Sequence, residues 1–165
     1  WLPLSIAVLD CEEADIDFHA RYSCTSKEYI YKIWNTEVRN PFLDGYALHY
    51  RYKLDEDMLN SAAQAYVGTH DFTSFCTLDS REKGDMTRTV KAFSVTREGN
   101  LVTMKVEADG FLYNMVRIMV GTLLRIQQGK IPVDGIAGII EKKDRKFAGP
   151  TAQPCGLYLN RVNYD

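Results

Sequence analysis

Arg117 is the side chain whose setting most strongly asks for a chemical partner. It lies inside a run, Phe111 to Ile126, that is apolar at almost every position. A guanidinium does not give up its proton, so a buried arginine needs an anion or several acceptors. At helical spacing its neighbours are Tyr113, Asn114, Val120 and Gly121, and none is a carboxylate. Either the side chain snorkels to water, or the counter-charge comes from elsewhere and the chemistry is the clamping of a carboxylate or a phosphate. Three other groups stand out by type. Tyr29 and Tyr31 share a face with Ile33 in a β-rich run (EYIYKIW), where aromatics ordinarily fill a sheet core. His70, Asp71 and Phe72 lie in a polar, aromatic stretch, THDFTSFC, of the kind that carries binding groups when a rigid scaffold holds it. Lys142, Lys143 and Arg145 form a basic cluster that suits either a solvated face or a phosphate backbone.

The elements that would position these residues follow from hydrophobic periodicity. The run around Arg117 is too long for a strand and has no proline. It is apolar nearly all round, which predicts a helix buried on most sides, stopped at Gly129. Before it, Arg88 to Arg97 and Leu101 to Ala108 alternate strongly around Glu98-Gly99-Asn100, a hairpin signal. Asp55 is a fair N-cap for a helix carrying Met58, Leu59, Ala62, Ala63 and Tyr66, ended by Gly68. A shorter helix is expected over Val133 to Lys143, with Val133, Ile136, Ala137 and Ile140 on one face. Gly156 to Tyr164 alternates as a last strand. Leu4 to Leu9 and His19 to Cys24 also read as strands, and Thr69 to Lys83 reads as loop. The order β, β, α, β, β, α, α, β predicts an α+β fold, a ferredoxin-like α/β sandwich with a mainly antiparallel sheet and helices on one face. A single domain over residues 1–165 is expected from the length.

Composition narrows the chemistry. The cysteines Cys11, Cys24, Cys76 and Cys155 are widely spaced, and the histidines are scattered, so neither a disulfide frame nor a metal site is expected. Arg117 interrupts the best apolar run, so no membrane span is expected. The chain carries a net −2, yet residues 1 to 20 alone carry −5, which leaves +3 for the rest. Residues 111 to 149 hold seven basic side chains against three acids. That surplus is compatible with an RNA backbone without requiring one.

Five ordered stretches resemble the TruA family of tRNA pseudouridine synthases. They are DFHARYSCTSKEYIYKIWN, AAQAYVGTHDFTSF, ADGFLYNMVRIMVGTLL, EKKDR and GPTAQPCGLYLNRVNY. The resemblance implies a cytoplasmic, homodimeric isomerase that needs no cofactor and converts uridine to pseudouridine in the anticodon stem-loop of tRNA. It implies that Tyr29 stacks on the target base and that Arg117 pairs with a catalytic aspartate. It also implies a base-side pocket with contributions from Leu157, Phe111, Asn114, His70, Asp71 and Phe72, and backbone contacts from Lys142, Lys143 and Arg145. The family's aspartate sits in a G-R-T-D-A-G-V-H motif upstream of a stretch matched here by Leu2 to Val8, and no G-R-T-D occurs in these 165 residues. The chain is therefore expected to be the C-terminal catalytic lobe without its nucleophile, inactive alone. Arg117 is then expected to turn to solvent, meet an anion or borrow a carboxylate. Competing readings are a non-catalytic RNA-binding module, a metabolite-binding regulatory domain and a dimerisation domain. The first lacks an RNP1 pattern and the second lacks a Gly-rich or acidic ligand loop.

Overall fold

Strand β1, Ser26–Trp34, is the element on which the architecture is built. The computed structural model describes residues 1–77 and 84–164. β1 alternates as its sequence demands: Tyr31 and Ile33 are wholly buried, while Glu28, Ile30 and Lys32 turn to the other face. On one side it pairs antiparallel with β5 (Leu101–Ala108), setting Tyr31 opposite Met104. Its other side is shared. β6 (Leu157–Asn163) runs antiparallel along the first part, and a two-residue strand β2 (Leu48–His49) runs parallel at the end. Beyond β5 lie β4 (Thr87–Glu98) and then β3 (Gly68–Asp71), giving the order β2-β1-β5-β4-β3 with β6 on β1. The β4–β5 hairpin closes through Gly99 and Asn100, and Gly99 takes the positive φ that such tight turns require.

A bulge in β4 decides which of its side chains reach the core. The register slips between Val90 and Ala92. One extra residue, Lys91, lets Val90 and Phe93 both face inward, at 1% and 4% exposure, although strict alternation would separate them. Against that inner face pack α1 (Glu56–Ala63) and α2 (Met115–Gln127), with α3 (Gly135–Lys142) beside them. The Asp55 side chain caps α1 by accepting from the Met58 amide at 2.9 Å. Nearly every residue of α2 is buried, as an all-round apolar sequence requires. None of the described helices is long and apolar enough to cross a membrane.

Asn35 ties the end of β1 to the chain beyond it. Its amide donates to the carbonyls of Tyr50 and Tyr52, and its Oδ1 accepts from the Leu54 amide and from Arg97. Arg97 in turn pairs with Glu56 at 2.9 Å. Asn35→Ala leaves these buried groups bare, at about 1–3 kcal/mol for an unsatisfied partner. Urea unfolding should register a loss of that size; an unchanged midpoint would mean that water replaces the amide at no cost.

The structure departs from expectation in identifiable places. Leu4 to Leu9 is not a strand: Leu4 and Leu9 are fully exposed, and the segment has no ladder partner among the described residues. A short apolar run alone does not sustain an unpaired strand. His19 to Cys24 is a turn, because the His19 ring nitrogen accepts the amides of Arg21 and Tyr22. His70 and Asp71 lie in a strand paired with β4, not in a loop. The loop reading over residues 78–83 lies outside the described residues. α2 begins at Met115 and not at Phe111, because Asn114 takes a left-handed conformation (φ 62°). On α3 the buried stripe is Ile136, Ile139 and Ile140, leaving Val133 and Ala137 exposed.

Candidate functional site

The N-terminal end of α2, the first half of β1 and the start of β6 together enclose a cleft of about 360 Å³. A backbone strap, residues 149–156, closes one side. It can approach α2 closely because two glycines face each other. A Cβ on Gly121 would sit 1.7 Å from the Pro150 carbonyl oxygen, and one on Gly149 would sit 2.5 Å from the Gly121 carbonyl. The Gly149 amide donates to the Thr122 hydroxyl at 2.9 Å, and the Ala152 amide donates to the Arg117 carbonyl at 3.0 Å. The Tyr31 hydroxyl then holds the strap's far end by donating to the Gln153 carbonyl at 2.6 Å. Burial pushes that phenol's pKa well up, so Tyr31 stays a donor at any ordinary pH.

Arg117 reaches into this cleft, half-buried. Its Nε donates to the Ala152 carbonyl at 2.7 Å and its Nη1 to Asn114 Oδ1 at 3.0 Å. The ion pairs among the described residues are Arg97–Glu56, Lys105–Glu28 and Lys143–Asp71, so Arg117 has no carboxylate there. It neither turns to solvent nor borrows an acid among the described residues; neutral acceptors hold it instead. A carbonyl and an amide oxygen suffice to keep a half-buried guanidinium hydrogen-bonded, while its charge is left without a counter-charge. Asn114 is positioned for this by its strained backbone, and its amide also donates to the Thr77 hydroxyl at 3.2 Å.

Tyr29 lines the same cleft. Its ring meets Phe111 edge-on, with centroids 5.0 Å apart, and partial burial raises the phenol's pKa. Leu157 completes that wall opposite Tyr31 in the β1–β6 ladder. Tyr29, Phe111, Asn114, Arg117 and Leu157, far apart in sequence, therefore come together. Arg21 also lines the cleft and was missed by sequence reading, because it sits in the turn read as a strand.

The remaining candidates lie away from this cleft. Phe72 is fully buried beside Phe75 in the core. His70 hydrogen-bonds the Val67 carbonyl, and Asp71 accepts from Thr73 and pairs with Lys143 at 2.9 Å. Arg145, its own pKa lowered by burial, donates to the Ala148 carbonyl and Thr151 hydroxyl. Lys142 lies 3.9 Å from the Phe147 ring centroid. Among the described residues no cluster of His, Cys, Asp and Glu could hold a metal ion.

Asp71 supplies a pH-dependent brace. Burial opposes its ionisation, but hydrogen bonds from Thr73 and Lys143 outweigh that and hold its carboxyl below the usual range. A depressed carboxylate stabilises the fold above its unfolded pKa of about 3.9 and loses that contribution as pH falls through the folded value. The pair is partly exposed, so the loss should stay below about 1 kcal/mol. Comparing urea midpoints at neutral and strongly acidic pH should show part of the acid loss missing in Asp71→Asn; identical acid losses would remove the brace.

Comparison with known proteins bears on this geometry. The family model described as tRNA pseudouridine synthase matches residues 62–165. The chain is 46% identical over 164 residues to the tRNA pseudouridine synthase A of Geobacillus sp. (strain WCH70), covering 99% of the chain and 66% of that protein. It is 44% identical over 164 residues to the protein of that name from Bacillus pumilus (strain SAFR-032), again covering 99% and 66%. The protein of that name from Shewanella frigidimarina (strain NCIMB 400) is 44% identical over 163 residues, 99% of the chain and 62% of the relative. The chain thus spans slightly less than two thirds of the length of these relatives.

Proposed function

The chain belongs to the tRNA pseudouridine synthase family, and from that premise we propose that it is part of an enzyme isomerising uridine to pseudouridine in the anticodon stem-loop of tRNA. The C1′–N1 bond of the uridine breaks, the uracil rotates, and C1′ rejoins through C5. C5 gives up its proton and N1 takes one, so the reaction balances without a redox partner or cofactor. The nucleophilic aspartate comes from a G-R-T-D-A-G-V-H motif outside these residues, and the 165 residues by themselves do not turn over. The observation that carries the reading is a half-buried Arg117 satisfied only by neutral acceptors, in one cleft with Tyr29. Its Nη2 makes no hydrogen bond among the described residues and is the donor offered to the incoming carboxylate.

Tyr29 stacks on the extruded base, and its phenol is available to the proton leaving C5. Leu157 and Phe111 flank the uracil, and Asn114 sets the angle of Arg117. His70, Asp71 and Phe72 act at one remove by bracing the strand and turn that lead to Thr77. Lys142, Lys143 and Arg145 follow the RNA backbone, their cations meeting its phosphates. The reading includes a cytoplasmic homodimer without cofactor or metal.

Tyr29 tests the base side of the site. In the full-length enzyme, Tyr29→Ala should lower kcat/KM on tRNA by the value of one stacked base, about 1–3 kcal/mol. Tyr29→Phe should recover whatever part is stacking and leave the part that needs the hydroxyl. Pseudouridine formation unchanged in Tyr29→Phe and in Arg117→Ala together would overturn the site assignment. RNA binding without any turnover by the wild type would favour a non-catalytic RNA-binding module.

A further inference from the structure

A second cleft, of about 390 Å³, opens on the other side of the short turn Pro154–Gly156. Gln153 and Cys155 line it, while Pro154 and Leu157 line the Tyr29–Arg117 cleft, so a single turn of backbone is the wall between them. That wall is rigid. Tyr31 anchors the Gln153 carbonyl, and a Cβ on Gly156 would meet the Lys32 carbonyl at 2.6 Å. The bend that follows β1, carrying Arg39, and His49 of β2 also line the second cleft.

This bend has a composition that the fold does not explain. Phe42 is 91% exposed, Tyr46 64% and Tyr52 65%, so these rings contribute little to the core. Cations are interleaved with them: Arg39, Arg51 and Lys53, opposed between residues 39 and 53 only by Asp44. The Arg39 side chain has no ion pair or hydrogen bond among the described residues. Arg51 lies 5.4 Å from the Tyr52 ring centroid, and Lys32 lies 4.7 Å from that of Tyr158. Tyr158 in turn donates to the Tyr46 carbonyl at 2.6 Å, which fixes the bend against β6. Exposed rings with cations between them suit unpaired nucleotides, since each base has a face to stack and each phosphate a charge to meet. The cleft wall mixes the apolar Trp34, Leu43 and Leu48 with Arg39, Asn40, His49 and Gln153, groups that can meet the faces, edges and phosphates of nucleotides.

We propose that this second cleft, with the exposed rings of Phe42 and Tyr46 that adjoin its lining residues along the chain as its rim, is a subsite for unpaired nucleotides flanking the target uridine in the same RNA. The inference rests on the reading that the Tyr29–Arg117 cleft receives that uridine. Tyr29 and Trp34 mark the two clefts along β1 and are separated by roughly 17 Å at about 3.3 Å per residue. An RNA strand leaving the first cleft crosses Pro154–Gly156, lays a phosphate near Arg39 and stacks bases on Phe42 and Tyr46.

The test uses the full-length enzyme, a fluorescein-labelled single-stranded oligouridylate and intact tRNA. Phe42→Ala and Tyr46→Ala should weaken oligouridylate binding by about 5- to 150-fold. Arg39→Ala should reduce the slope of log affinity against log salt by about 1. For all three, KM for tRNA should rise and the deficit should shrink at saturating tRNA. The substituted side chains are exposed, so folding should survive, and thermal unfolding checks it. Wild-type affinity and salt slope in all three would overturn the subsite. So would loss of a dimer by light scattering at unchanged RNA affinity, because the rim would then be a contact between copies. The two inferences fail separately. Lost turnover in Arg117→Ala with wild-type RNA binding in the rim variants sinks the subsite alone. Weakened RNA binding in the rim variants, with a wild type that forms no pseudouridine, sinks the isomerase reading.

Discussion

Arg117→Ala in the full-length enzyme is expected to lower kcat/KM for pseudouridine formation by about 10²- to 10⁴-fold. The estimate starts from the buried pair proposed between Arg117 and the incoming aspartate. Removing one partner of such a pair costs about 3–5 kcal/mol, because the other charge is left uncompensated, and each 1.36 kcal/mol is a factor of ten in rate. Arg117→Lys should recover little. Nε is committed to the Ala152 carbonyl and Nη1 to Asn114, so a point charge on a flexible stem cannot keep both and still present a donor to the carboxylate. Stability of the full-length enzyme should fall as well, since the same change leaves the aspartate's charge uncompensated in the folded state. A double-mutant cycle with the motif aspartate separates pairing from packing. If the two act as a pair, the double variant is about as impaired as the worse single one. Losses that simply add would mean that Arg117 serves RNA or fold, not the nucleophile.

What could be read from the sequence was what is local in sequence. The β4–β5 hairpin announces itself through alternation and Gly99, and α2 through an apolar run that no strand could sustain. Tyr29, Tyr31 and Ile33 share a face because the strand period is two, whatever they pair with. The failures have the opposite character. β3 is polar, and it is a strand only because β4 offers an edge, setting His70 opposite Arg88. Leu4 to Leu9 is an apolar run with no ladder partner among the described residues. For the site, residue type pointed to Arg117, and a family resemblance singled out Tyr29 and gave both their roles. The acceptors that hold Arg117 were not legible, because the Ala152 carbonyl is a backbone group 35 residues away that any side chain could carry. The second cleft was overlooked for a related reason. Its rings and cations read as ordinary loop residues until the turn at Pro154–Gly156 is seen to border both clefts.

Gly121→Ala, one added methyl far from any reacting atom, should be among the most damaging small substitutions in the chain. Inside a helix the change ordinarily stabilises by about 0.5–1 kcal/mol, because glycine loses more backbone freedom on folding. Here the new Cβ would lie 1.7 Å from the Pro150 carbonyl oxygen. That obstacle is backbone, and it is pinned on both sides by the Gly149–Thr122 and Ala152–Arg117 hydrogen bonds. It cannot yield as a flexible side chain would, so the strap must lift from α2. Overpacking of this kind costs about 1–3 kcal/mol or more, and each kcal/mol lowers Tm by roughly 2–4 °C for a chain of this size. The lift also withdraws the Ala152 carbonyl from Arg117 and strains the Tyr31–Gln153 hydrogen bond, so activity should fall further than stability alone explains. Gly138→Ala is the matched control. It is also helical, and its Cβ would meet nothing within 4 Å, so it should leave Tm unchanged or slightly raised. A Gly121→Ala protein that melts with the wild type would show that the strap does not press on α2, and the geometry assigned to Arg117 would lose its support.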